Sequence, residues 1–142
     1  MSIFKMSDWD LQDYNRRVIE EFRANGGGHV MGGVPLILLT TKRAKSGQTH
    51  VSPLIAIPDG ERYLVVAAKG GAPQHPFWYH NLVAHPDVTV ETGSETFAAT
   101  ARLLTGEERA QAFAKAVAVF ALFDEYQKKA VREIPVFSLE RL

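Results

Sequence analysis

The stretch Val34-Pro35-Leu36-Ile37-Leu38-Leu39-Thr40-Thr41-Lys42-Arg43-Ala44-Lys45-Ser46-Gly47-Gln48-Thr49-His50-Val51-Ser52-Pro53-Leu54-Ile55-Ala56-Ile57-Pro58-Asp59-Gly60-Glu61-Arg62-Tyr63-Leu64-Val65-Val66-Ala67-Ala68 holds three apolar runs parted by two turn signals. Residues 35–41 are too short and too apolar for a typical helix and read as a strand. Residues 42–48 form a polar loop turning at Ser46-Gly47. Residues 49–57 return as a second strand, in which Pro53 implies a bulge or an edge position, because proline cannot donate to a ladder. Asp59-Gly60 is a hairpin turn signal, and residues 61–68 make the third strand.

On the N-terminal side, Ser7 or Asp8 can cap a helix reaching about Ala24. Leu11, Tyr14, Val18 and Phe22, widened by Ile19, form its apolar stripe. Asn25-Gly26-Gly27-Gly28 ends it, and with Gly32-Gly33 makes residues 1–33 a helix plus glycine-rich connector. On the C-terminal side, Lys69-Gly70-Gly71-Ala72-Pro73 is a loop, and a short helix runs from Pro76 to about Ala84. Residues 88–92 and 96–104 make a hairpin across Gly93-Ser94. Thr105 to Glu108 reads as a capping box opening a long helix to about Val131, and residues 134–139 add a tail strand. Tight turns between consecutive strands imply an antiparallel sheet. The expectation is an α+β fold on a small β-barrel of about six strands.

The chain has 142 residues, 46% of them hydrophobic, with 16 Lys+Arg against 16 Asp+Glu. That supports one domain over 1–142, and the zero net charge argues against a nucleic-acid binder. There is no cysteine, which excludes disulfides, thiolate nucleophiles and Cys-type metal sites. No run is long and apolar enough to span a bilayer, and the N-terminus lacks a signal-peptide h-region, so a cytoplasmic protein is expected. Loose attachment of the first helix to an anionic membrane surface through Arg16, Arg17 and Arg23 is compatible with its amphipathic pattern.

Four clusters carry chemistry. Arg43, Lys45, Ser46 and the neighbouring glycine make an anion cradle or a solvated hairpin tip. Ala67-Ala68-Lys69-Gly70-Gly71 lets a flat ring approach the backbone, or is a strand leaving the sheet. Phe77, Trp78 and Tyr79 pack on a cofactor ring or on the core. Phe120, Phe123 and Tyr126 follow a helical stripe, with the Tyr126 phenol placed to donate to a substrate. The residues alone leave each pair of readings open. No histidine pairing suits a helical metal site and no serine elbow is present, so an enzyme built this way borrows a cofactor.

In order and spacing, these clusters resemble the deazaflavin-dependent nitroreductase family of actinobacteria, whose members use coenzyme F420. The likeness runs from Asn15 to Gly27 and through Leu39-Thr40-Thr41, Lys45-Ser46-Gly47, Ser52-Pro53-Leu54 and Ala67 to Gly71. It continues through Pro76 to Leu82, His85-Pro86, Thr100-Ala101-Arg102, Glu107-Glu108-Arg109, Tyr126-Gln127 and Ile134-Pro135. The resemblance implies a split β-barrel, FMN-binding-like, with an N-terminal helix, a short middle helix and a long C-terminal helix. It implies hydride transfer from reduced F420 to an electron-poor small molecule. Arg43, Ala44, Lys45 and Ser46 are then expected at the cofactor's phosphate and acidic tail, and His50, Val51, Ser52, Pro53, Leu54 and Ile55 along its rings. Val66, Ala67, Ala68, Lys69, Phe77, Trp78, Tyr79, His80 and Asn81 line the rest, while Phe120, Phe123 and Tyr126 form the substrate side. Tyr126 is the expected proton donor or substrate contact.

The chain departs from the family pattern at four points. Its arginine sits one place early at Arg43, His50 stands for a frequent arginine, Ala68 for a serine, and Phe120 and Phe123 for two of three tyrosines. These shift the expected acceptor from nitroimidazoles toward the activated C=C bonds of enones, lactones and quinones. The alternatives are an FMN-binding split barrel and a non-enzymatic carrier of deazaflavin or an apolar ligand. A homodimer is compatible with this fold class.

Overall fold

The computed structural model describes residues 8–28 and 33–142, with side chains from Gln12 onward. The expected Ser7 cap, the place of Leu11 in the helical stripe and the Gly32 end of the connector lie outside the described residues. The elements are α1 (Asp8–Asn25), β1 (Leu36–Lys42), β2 (Thr49–Ile55), β3 (Ile57–Asp59), β4 (Arg62–Val66), a turn of 3-10 helix (Lys69–Gly71), α2 (Phe77–Ala84), β5 (Asp87–Glu91), β6 (Thr96–Leu103), α3 (Gly106–Val119), α4 (Leu122–Lys129) and β7 (Val136–Arg141).

All described strand pairs are antiparallel, in the order β2-β1-β5-β6-β7-β4-β3. β2 and β3 occupy the two opposite edges, yet only Ala56 separates them in sequence. The sheet must therefore curl until its edges meet, which is the split β-barrel expected. The fully buried Ala56 donates its N–H to Pro35 O at 3.0 Å, holding that corner to the start of β1. The edge position of β2 also explains Pro53, which pairs opposite Leu38 without breaking an interior ladder.

Two cores share the sheet. Ile37, Leu39, Val65, Ala67, Val90, Phe137 and Leu139 face the barrel interior, where Trp78 and Leu82 of α2 plug it. Leu64, Val66, Ala68, Ile134 and Val136 face the other way, under Ala112 and Ala116 of α3 and Phe123 of α4. Successive residues of β4 are thus buried on opposite faces, which is why residues 64–68 read as a continuous apolar run instead of alternating.

Three expectations are corrected. The second strand is broken at Ala56, giving seven strands where about six were expected. The single helix to Val131 is two: Phe120 leaves helical geometry at φ −134°, ψ 92°, and α4 restarts at Leu122. The preceding Val117 and Val119 are β-branched and weak helix formers. The break also lets Phe120 and Phe123 meet edge-on at 5.0 Å over the second core. The capping box is not made either, since the Thr105 side chain caps nothing. Glu108 instead accepts two bonds from Arg102 at 2.8 and 2.9 Å, clamping the first turn of α3 to β6.

α1 lies on the barrel. Arg23 donates to both Glu91 carboxylate oxygens at 3.1 and 2.9 Å, and the Gly26-Gly27 backbone lies directly against Gly93 in the β5–β6 turn. Arg16 and Arg17 both pair with Asp13. The three arginines nominated for a membrane surface are thus all engaged with carboxylates. No helix among the described residues is long and apolar enough to cross a membrane.

Candidate functional site

Two loops and one helix gather the predicted residues. The β1–β2 loop closes through Arg43 N–H to Gln48 O at 2.7 Å and Gly47 N–H to Arg43 O at 2.9 Å. Ser46 Oγ accepts the Gln48 N–H at 3.2 Å, shaping the turn. The loop is anchored from beneath by Asn81 of α2. Its buried amide oxygen accepts the Ala44 N–H at 3.1 Å, and its Nδ2 donates to Thr41 Oγ1 at 3.0 Å. Asn81 thus fixes where the loop points, while Lys45 stands exposed at the tip.

Arg43 turns away from that tip. Its Nη2 donates to His50 Nδ1 at 3.1 Å and its guanidinium lies 5.2 Å from the Phe77 ring centroid, while His50 packs edge-on against the same ring. Thr41 pairs opposite His50, so His50, Ser52 and Leu54 share the face that looks toward α2, and Val51, Pro53 and Ile55 face away. Burial, then the Arg43 charge, push the His50 pKa down. An imidazole accepting from arginine is neutral, so the departure from arginine at position 50 leaves one cation fewer here.

The second loop follows β4. Lys69, Gly70 and Gly71 have φ of 46°, 64° and 83°, three successive left-handed residues. Such a run strains lysine and suits glycine. Gly71 has a further reason: a Cβ there would come within 2.8 Å of Tyr126 O and 3.2 Å of Lys129 Cβ. The turn thus rests on α4 and brings the exposed Lys69 beside the Tyr126 segment. Burial raises the Tyr126 pKa, so the phenol keeps its proton at neutral pH.

Arg132, which lies between α4 and β7, holds this loop, and the sequence reading missed it. Its Nε donates to Ala72 O at 3.1 Å and its Nη2 to Ala67 O, Ala68 O and Gln74 O at 3.2, 3.0 and 3.1 Å. Its Nη1 meets His75 Nδ1 at 3.0 Å, and the His75 ring stacks on Tyr79 at 3.9 Å. Nothing in Val131-Arg132-Glu133 distinguishes this side chain from a solvated arginine. Its partners lie 57 to 65 residues away.

Several predicted residues point inward. Trp78 packs edge-on against Phe137 in the barrel core, Ala67 is beside it, and Ala68 and Phe123 belong to the second core. Their contribution to any site is to form its wall. Phe77 and His80 are exposed, and Tyr79, Phe120 and Tyr126 are partly buried. Two depressions lie elsewhere. One of about 190 Å³ lies between α1 and the β5–β6 turn, and one of about 210 Å³ lies where β1 and β5 diverge. Neither carries a phenol or an aromatic platform beside a cation loop, so the surface along α2 is the better candidate. No cluster of His, Asp and Glu among the described residues can hold a metal ion.

The donor set suits an anionic, flat cofactor: exposed lysines on two loops, a left-handed backbone turn, small residues behind it and a protonated phenol carried by the helix on which that turn rests. Fold and site together define a split-barrel oxidoreductase. Residues 14–141 match the F420H(2)-dependent quinone reductase family, and the chain belongs to that family. It is 36% identical over 123 residues to the F420H(2)-dependent quinone reductase of Mycobacterium tuberculosis, covering 81% of this chain and 79% of that protein. A structure described as F420-H2 dependent reductase FDR-A is 43% identical, with a TM-score of 0.70 over 80% of this chain and 100% of that one. Another, described as a domain-swapped dimer, is 40% identical, with a TM-score of 0.72 over 94% of this chain and 98% of that one. The cofactor of this oxidoreductase is accordingly coenzyme F420.

Proposed function

We propose that the protein reduces quinone-like electron-poor acceptors, extending to activated C=C bonds of enones and lactones, with Lys45 and Lys69 holding the cofactor and Tyr126 as proton donor. When bound, reduced F420 supplies a hydride. The chain's own work is to bind, orient, exclude water and move one proton. Lys45 and Lys69 are point charges for the phosphate and acidic tail, and Phe77 and Tyr79 offer ring faces. Tyr126 is suited to give its phenolic proton to the acceptor oxygen as the hydride arrives, and solvent returns it.

The observation that carries this reading is the close packing of the Lys69-Gly70-Gly71 turn on the Tyr126 backbone, which sets a cationic loop against the helix segment that carries the phenol. The decisive experiment pairs fluorescence titration of F420 with turnover on a soluble menaquinone analogue. Tyr126→Phe is expected to lower turnover at least tenfold while leaving the F420 Kd within twofold. Equal losses in both measurements would remove Tyr126 from proton transfer. Parallel FMN titration tests the flavin alternative, and tight F420 binding without turnover on any acceptor would make the protein a carrier.

The proposal places the enzyme in the cytoplasm, with α1 serving to pack on the barrel. A homodimer is included, supported by the relative that is described as domain-swapped. Light scattering of the purified chain at micromolar concentration reads the mass directly.

A further inference from the structure

We infer that Arg132 is the positioning residue of the cofactor site: by collecting the carbonyls of Ala67, Ala68, Ala72 and Gln74 it holds the turn so that the Lys69 backbone N–H points outward to meet an anion. The inference rests on the cofactor reading of the Lys69 turn and adds to it a residue that touches neither cofactor nor acceptor.

The geometry follows from the peptide unit. C=O and N–H of one planar peptide point in opposite directions. The Ala68 carbonyl is bound to Arg132 Nη2 at 3.0 Å, so the Lys69 N–H that shares its peptide points away from the guanidinium. The same holds for the Gln74 carbonyl and the His75 N–H. The neighbouring Ala68 N–H is already used, donating to Val66 O at 2.9 Å. With Ala68 right-handed at φ −80°, ψ −41° and Lys69 left-handed at φ 46°, the turn has the alternation that makes a concave anion-binding nest. Lysine accepts this backbone at a cost, and the five contacts of Arg132 hold it there.

Arg132 also sets the reach of the turn. It binds Ala68 and Ala72 on either side of Gly71, whose backbone lies against Tyr126 O. One planar fork therefore fixes both the anion nest and its separation from α4. A lysine cannot replace it, because a point charge on a flexible stem cannot hold carbonyls on both edges of a plane.

The test is Arg132→Lys beside Lys69→Ala and Lys45→Ala, each titrated with F420 at 50 and 300 mM salt and followed by thermal melting. Arg132→Lys is expected to weaken F420 binding about tenfold. It should keep the wild-type salt dependence, since charge is conserved, whereas both lysine variants lose affinity and flatten that dependence. An Arg132→Lys Kd within twofold of wild type overturns the inference. If the lysine variants still lose affinity, the site reading stands without it; if all three bind normally, the site reading falls too. Should Arg132→Lys fail to fold, deuterium exchange on the wild-type protein decides. The Lys69 backbone amide must slow on addition of F420, and unchanged exchange there overturns the inference.

Discussion

At the scale of single residues, most of the chemistry turns on which charged groups are already engaged. Arg43, although at the hairpin, is engaged with His50 and Phe77, and Arg132 with five partners, whereas Lys45 and Lys69 make no ion pair among the described residues. The pH response follows from the two neutral histidines beside these arginines. Burial and then the neighbouring Arg43 hold the His50 pKa below its ordinary 6.5, and burial, then Arg132 and His80, do the same to His75. The unfolded chain therefore binds protons that the folded one refuses. Stability is full above about pH 6.5, falls as pH drops through the window down to the depressed folded values, and levels off below them. Melting temperatures measured from pH 7.5 to 5 should show this decline, and His50→Gln should shallow it. An unchanged slope in that variant would mean His50 is protonated in the folded state. Residue type and place nominated Lys45 and Lys69, and the family resemblance nominated His50. It could not find that Arg43 faces His50, because that depends on side chains converging from β1, β2 and α2.

At the scale of elements, the site depends on how α2 and α1 are fastened. Asn81→Ala removes the acceptor of the Ala44 N–H and the donor to Thr41 at a buried position, an expected cost of about 1–3 kcal/mol. It should also weaken F420 binding by loosening the Lys45 loop, and urea unfolding with the cofactor titration reads both. Gly93→Ala would set a Cβ 2.2 Å from Gly26 O at φ 99°. α1 should lift from the β5–β6 turn, at a cost of about 2 kcal/mol or more, with earlier proteolysis of the glycine connector. Proteolysis at the wild-type rate would show the turn can yield. Most elements were legible, since strand runs, turn glycines and helical stripes are local signals, but the separate β3 was not. Helix length was not. Residues 106–129 carry one apolar stripe, and the break between α3 and α4 goes with the packing of Phe120 and Phe123 together over the second core.

At the scale of the whole molecule, a seven-stranded sheet is curled by a single residue, Ala56, joining its two edges, and filled from one side by α2. Phe137, 2% exposed, touches Trp78 and Tyr79 at ring distances of 6.2 and 5.8 Å and so couples the barrel interior to the helix that carries the site. Phe137→Ala is expected to cost about 3–5 kcal/mol in urea unfolding. A loss below 1 kcal/mol would mean the interior collapses around the gap. Trp78 variants report on this same core, so lost F420 binding in them measures folding. By itself the sequence determined the strands, the hairpin loops, the antiparallel barrel and the family, because periodicity, turn chemistry and motif order are written along the chain. Only the tertiary structure decided which arginine is engaged, which aromatic is wall and which residue holds the Lys69 turn. Those answers are bonds such as Arg132 to Ala67, spanning 65 residues, and such a bond exists only after the sheet has closed.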